Sequence, residues 1–115
     1  MNFVNSPIAD MILQAEKVEK ERNFRIPISA RLAMGDDAYR GEEVLLQGIM
    51  DCVLIDKDGV TVIDYKTDNV KSTAVLKERY SMQLELYRLG AKALYGAENV
   101  KCIIYSLTLD EYIYV

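Results

Sequence analysis

Apolar and polar positions alternate in two different periods along this chain, and the period changes mark its elements. Ser6-Pro7 reads as a helix start, with a serine suited to the N-cap and a proline suited to the first helical turn. Ile8, Met11, Ile12, Ala15 and Val18 then recur at helical spacing, while Glu16, Lys17, Glu19 and Lys20 fill much of the other side. This pattern predicts a helix over 7–20. Phe24, Ile26 and Ile28 alternate with Arg25, Pro27 and Ser29, which predicts a strand over 24–32. Pro27 has no N–H to give a ladder, so this strand belongs at a sheet edge or carries a bulge. Residues 34–41, with Gly35-Asp36-Asp37, read as a turn or short loop.

A long apolar strand is predicted over 44–55, interrupted by Gln47, Gly48 and Asp51. Asp56-Lys57-Asp58-Gly59 is a hairpin turn signal, and the returning strand over 60–66 is rich in β-branched residues. A polar loop over 67–72 leads to a helix over 73–95, whose stripe is Leu76, Tyr80, Leu84, Tyr87, Ala91 and Leu94; Gly96 stops it. Residues 100–107 form a further strand, and 112–115 a short last one after a turn at Asp110-Glu111. Helix, three strands, helix, one or two strands is an α/β sandwich around a mixed sheet.

At 115 residues the chain suits one compact domain. Half of it is hydrophobic and 28% is charged, which is ordinary globular composition. The net charge of −4 rules out a uniformly basic surface, although Lys17, Lys20, Arg22 and Arg25, and again Lys71, Lys77 and Arg79, make local basic stretches. Histidine is absent, which excludes Ser-His-Asp and Cys-His catalysis and every histidine-based zinc site. The two cysteines, Cys52 and Cys102, lie in apolar runs without C-x-x-C spacing, so they read as buried free thiols and not as an iron–sulfur or zinc site. No signal peptide and no apolar run of membrane-spanning length occur, and the expected location is the cytoplasm.

The remaining chemistry belongs to carboxylates and lysine. On a strand, Asp64 and Lys66 share a face. If the hairpin loop is the four residues 56–59, Ile55 pairs with Val60 and Asp51 lies opposite Asp64; if it is two residues, Lys57 pairs with Val60 and Asp51 lies opposite Lys66. Either register gathers Asp51, Asp64 and Lys66. Two carboxylates in an apolar hairpin repel, and burial opposes their ionisation. A structural ion pair with Lys66 would offset this in part, and a divalent cation would do so better. Hard oxygen ligands suit Mg²⁺ or Mn²⁺, an arrangement fitted to phosphodiester hydrolysis.

Gln47-Gly48-Ile49-Met50-Asp51, the hairpin, Asp64-Tyr65-Lys66-Thr67-Asp68, and then Gln83 with Tyr87 on the following helix form an ordered set. This set resembles the PD-(D/E)XK nuclease superfamily, and within it the nuclease domains of RecB- and AddA-type helicase–nucleases, the AddA branch above all. The resemblance covers roughly residues 20–108. It implies a restriction-endonuclease-like αβββαβ core and a Mg²⁺- or Mn²⁺-dependent DNA nuclease acting in break processing and recombinational repair. Asp51, Asp64 and the Tyr65 carbonyl would hold the metal, Lys66 would be the catalytic lysine, and Gln83 would border the site. Tyr87 and Thr67 would adjoin it or touch DNA. Single strands would be delivered by an attached helicase, which alone would use ATP, beside a second, AddB-like subunit.

One feature departs from the pattern. Such nucleases place a further acidic or histidine ligand on an upstream helix, and this chain offers only Asp10, Glu16, Glu19 and Glu21 at unmatched spacing. The chain then reads as a fragment of a longer helicase–nuclease. The competing readings are a non-catalytic DNA-binding or subunit-docking module of the same fold, and a stand-alone restriction- or resolvase-type endonuclease.

Overall fold

The computed structural model describes residues 7–29 and 43–115. Its elements are α1 (Pro7–Gln14), β1 (Lys17–Ser29), β2 (Glu43–Asp56), β3 (Gly59–Lys66), α2 (Thr73–Tyr95), β4 (Val100–Ser106) and β5 (Glu111–Tyr114). The strands form one sheet in the order β1-β2-β3-β4-β5. Neighbours are antiparallel except β3 and β4, which run parallel. A parallel pair needs a crossover, and α2 supplies it. The result is the mixed α/β sheet that the pattern predicts.

Two boundaries differ from the sequence reading. The first helix ends at Gln14 and not near residue 20, and the edge strand begins at Lys17 and not at 24. Val18 is the one apolar residue between Lys17 and Lys20, so it fits either period. Long-range pairing decides between them: Lys17 sits opposite Ile55 and Val18 opposite Leu54, giving the segment's backbone ladder partners that an isolated helix end lacks. The exit from α1 is held by Ala15 N–H on the Met11 carbonyl (3.1 Å) and Glu16 N–H on Asp56 Oδ1 (2.9 Å). β1 is an edge strand with β2 as its neighbour, in keeping with Pro27. The turn expected over 34–41 lies outside the described residues, as does the end of the strand expected to reach residue 32.

The sheet separates two apolar layers. On one side, Val53, Val60, Val62, Val100, Cys102 and Ile104 pack with Leu76, Leu84 and Ala91 of α2. On the other, Cys52, Leu54, Ile63, Ile103 and Tyr105 pack with Ile8 of α1. Both cysteines are buried free thiols, and burial pushes Cys102 up to about 11. The stripe on α2 is the expected one, with Tyr80, Tyr87 and Leu94 partly buried against the same layer. Gly96 ends this helix in the left-handed conformation (φ 64°). Arg88 ties the helix to the sheet by donating from Nε to the Val100 carbonyl (3.2 Å) and from its terminal nitrogen to the Val115 carbonyl. Among the described residues no helix is long and apolar enough to cross a membrane.

Candidate functional site

The β2–β3 hairpin adopts the register in which Ile55 faces Val60, tightened so that Asp56 faces Gly59. Its ladder runs to Cys52–Ile63 and ends there, just short of Asp51 and Asp64. At the same level the β1–β2 ladder skips one pair, between Lys20–Cys52 and Arg22–Met50. Glu21, the β1 residue at the gap, has φ 51°. A non-glycine residue in this region is uncommon and inverts the side-chain alternation of a strand.

Both strands change faces at this gap. On β2, Val53 points toward α2 and Cys52 and Leu54 point away, yet Met50 points toward α2 again. On β1, Glu19 accepts the Tyr95 hydroxyl of α2 (2.5 Å), and Phe24, five residues on, also packs with α2. By period two Asp51 shares the face of Val53, and the change falls between Met50 and Cys52. Asp51 stands in the fork where β2 leaves β3, and its Oδ2 accepts the Tyr65 N–H at 2.9 Å. Gly48 belongs to the same adjustment. A Cβ there would lie 3.2 Å from the Phe24 ring and 3.5 Å from Tyr87, so the glycine lets the Phe24 ring close over the strand.

β3 keeps its alternation. Val60, Val62 and Asp64 face α2, while Ile63 and Tyr65 belong to the opposite layer. The Asp64 carboxylate is buried, and its Oδ2 has no aligned hydrogen-bond donor, although Lys66 Nζ lies 2.9 Å away as an ion-pair partner. Burial is the main reason that Asp64 is pushed up to about 6; the Asp51 carboxylate, within hydrogen-bonding contact, raises it further, and Lys66 opposes both. Lys66 Nζ also donates to Gln83 Oε1 (3.0 Å) and sits 4.0 Å from the centre of the Tyr80 ring. Gln83 Nε2 in turn donates to the Tyr87 hydroxyl (3.3 Å).

Asp51, Asp64, Lys66 and Gln83 thus meet at one place, with Tyr65 entering through its backbone N–H and Tyr87 through Gln83. Thr67 stands apart: it is exposed, and its carbonyl accepts the Thr108 hydroxyl (3.1 Å). Two further residues join the site, to which the motifs assign no catalytic or ligating role. Spacing places Tyr80 in the apolar stripe and Asp68 in a loop, yet the Tyr80 hydroxyl donates to Asp68 Oδ2 (2.7 Å) beneath the ring that faces Lys66. The spacing holds the signal: Tyr80, Gln83 and Tyr87 are three and four residues apart and share a helix face. Of the upstream acids, Glu16 lies beside the hairpin turn at Asp56, and Glu19 is engaged by Tyr95. Glu21 lines a groove of about 600 Å³ with Lys20, Asp51, Tyr65 and Leu107. Among the described residues, no three acidic, histidine or cysteine side chains are grouped to hold a metal ion.

Two carboxylates, one with a buried oxygen that lacks an aligned donor, beside a held ammonium, suit the handling of a phosphodiester: such acids could attract a divalent cation and such a lysine could face developing negative charge. Comparison with known proteins agrees with that chemistry. A family profile described as the PD-(D/E)XK nuclease superfamily matches residues 4–112. Proteins named as the A-type subunits of ATP-dependent helicase/nucleases are similar to the chain. One from Bacillus cereus (strain AH187) is 33% identical and one from Bacillus mycoides (strain KBAB4) is 36% identical, each over 91% of this chain. One from Clostridium botulinum (strain Okra / Type B1) is 29% identical over 98% of it. The chain spans 9% of the length of these relatives.

Proposed function

The chain belongs to the PD-(D/E)XK nuclease superfamily, and on that premise we propose that it is the metal-dependent DNA nuclease domain of a larger helicase–nuclease. The observation that carries this reading is the meeting of Asp51, Asp64 and Lys66 in the fork of β2 and β3, with Lys66 Nζ 2.9 Å from Asp64 Oδ2. Residues 1–115 act as one domain of a longer chain, in keeping with the 9% share of its relatives' length.

The donor set fits Mg²⁺ or Mn²⁺. Asp64 keeps a buried oxygen without an aligned donor, and a cation held by Asp64 and Asp51 would relieve the repulsion and desolvation that raise the Asp64 pKa. Asp51 and Asp64 would hold the ion, with the Tyr65 carbonyl on β3 as a third ligand. When bound, the ion polarises the phosphate and makes the attacking water more acidic. The protein's own groups do the rest. Asp51 is held by the Tyr65 N–H, so its other oxygen is oriented. Lys66, steadied by Gln83, presents its ammonium to the scissile phosphate, where charge grows as water oxygen bonds to phosphorus and the leaving oxygen departs. Tyr87 orients Gln83 and borders the DNA path, and Thr67 lies at the edge of that path. The substrate is single-stranded DNA delivered by an attached helicase that uses ATP, in partnership with a second, AddB-like subunit. Its setting is double-strand-break processing and recombinational repair in the cytoplasm.

The test is Lys66→Ala in the full-length protein. Single-turnover cleavage of labelled DNA in Mg²⁺ is expected to fall by roughly 10²–10³-fold. DNA affinity at the same salt should stay nearly unchanged, because many phosphate contacts share it. Cleavage at the parent rate would make Lys66 a plain ion-pair partner and end this assignment.

A further inference from the structure

The ammonium of Lys66 is held from three sides. Asp64 Oδ2 is 2.9 Å away, Gln83 Oε1 is 3.0 Å away, and the Tyr80 ring centre is 4.0 Å away. Gln83 takes one of its N–H groups, and the Asp64 carboxylate draws its charge as an ion pair. The ring presents its electron-rich face to the charge on the remaining side. A lysine carries a long, freely rotating stem, and each restraint that holds the head narrows the positions it samples.

Tyr80 is itself held. Its hydroxyl donates to Asp68 Oδ2 (2.7 Å), and the same oxygen accepts from Arg79 (2.6 Å). These two donors keep the Asp68 carboxyl below the usual carboxylate range. Asp68 is two residues beyond Lys66, on the loop that joins β3 to α2. The chain thus closes a circuit: strand to Lys66, loop to Asp68, Asp68 to the Tyr80 hydroxyl on α2, and the Tyr80 ring back to Lys66. Core packing alone accounts for the burial of the ring but not for the seat of its hydroxyl on an ion-paired carboxylate.

We propose that Tyr80 is a positioning residue for Lys66, with Asp68 and Arg79 fixing its ring over the ammonium. The proposal rests on the nuclease reading for its effect on cleavage, though the restraint on Lys66 is a property of the fold alone. Tyr80 does not touch the reacting atoms; it narrows the positions from which Lys66 meets the phosphate. Such an effect acts on the maximal rate and leaves DNA binding alone.

The experiment compares Tyr80→Met, which keeps apolar bulk without an aromatic face, and Tyr80→Phe, which keeps the face without the hydroxyl. Parent and Lys66→Ala full-length proteins set the limits. Two quantities are read. The first is the acetylation rate of Lys66 under limiting acetic anhydride without metal, followed by peptide mass spectrometry. The second is single-turnover cleavage of labelled single-stranded DNA in Mg²⁺. Tyr80→Met is expected to raise Lys66 acetylation by roughly fivefold and to lower the maximal cleavage rate by roughly fivefold to tenfold, at an unchanged half-saturating DNA concentration. Tyr80→Phe is expected to recover most of both. Parent-like acetylation and cleavage in Tyr80→Met would overturn the proposal. So would equal defects in Tyr80→Met and Tyr80→Phe, because the hydroxyl and not the ring would then matter. If the acetylation contrast appears while Lys66→Ala cleaves like the parent, Tyr80 still positions Lys66 and the nuclease assignment alone falls.

Discussion

Asp64 sets the main electrostatic tension of the domain. Its side chain is 6% exposed, and its pKa stands at about 6 against an ordinary value of 3.8, chiefly through burial and then through Asp51. A raised carboxyl pKa means that the folded state binds the proton more tightly than the unfolded state. The stability it contributes is present in full below about pH 4 and is lost as pH rises through about 6. The size is on the order of 3 kcal/mol. In metal-free protein, Asp64→Asn is therefore expected to flatten stability between about pH 4 and 6 and to raise it by about 1–2 kcal/mol at about pH 8. Urea unfolding at a series of pH values measures both. A less stable variant at the alkaline end would mean that the Lys66 ion pair outweighs the desolvation of the carboxylate.

At the scale of elements, the informative feature is the paired face change in β1 and β2. It lets the far half of the β1–β2 pair turn Phe24, Ile26 and Leu46 toward α2, beyond the fork in which Asp51 stands. The change needs Glu21 at φ 51°, where a side chain is strained and glycine is not. Glu21→Gly is expected to stabilise the fold by about 0.5–1 kcal/mol, the relief at this position exceeding the added freedom of the unfolded chain. Denaturant midpoints decide it. Destabilisation would mean that the Glu21 side chain, beside Asp51 and Lys20 in the groove, holds the kink by contacts of its own.

The described residues form one sheet with a layer on each side, so neither layer has a core without the strands they share. Removing bulk from the thinner layer should weaken the entire domain. Ile8 is fully buried against Cys52, Leu54, Ile63, Ile103 and Tyr105. Ile8→Ala is expected to cost about 2–4 kcal/mol and to lower the midpoint of a single cooperative transition. Calorimetry with circular dichroism tests this. Two separate transitions, with only one moved, would show that α1 docks as an independent unit.

Much of this was legible in the sequence, for local reasons. The 3.6-residue stripe from Leu76 to Leu94 and the stop at Gly96 located α2, because helix periodicity and the left-handed end are properties of neighbouring residues. Period-two alternation placed Asp64 and Lys66 on one face, and the hairpin brought Asp51 close in either register. Three things belonged to tertiary structure alone. Residues 17–20 chose strand over helix because Cys52–Ile55 offered ladder partners about 35 positions away, and a lone apolar residue, Val18, carries no period of its own. The face change that β1 and β2 make together at Glu21 is encoded by no pattern within one strand. Tyr80 came over Lys66 because the loop through Asp68 ties α2 to the end of β3, and contacts across a loop depend on how the elements dock and not on the spacing within either of them.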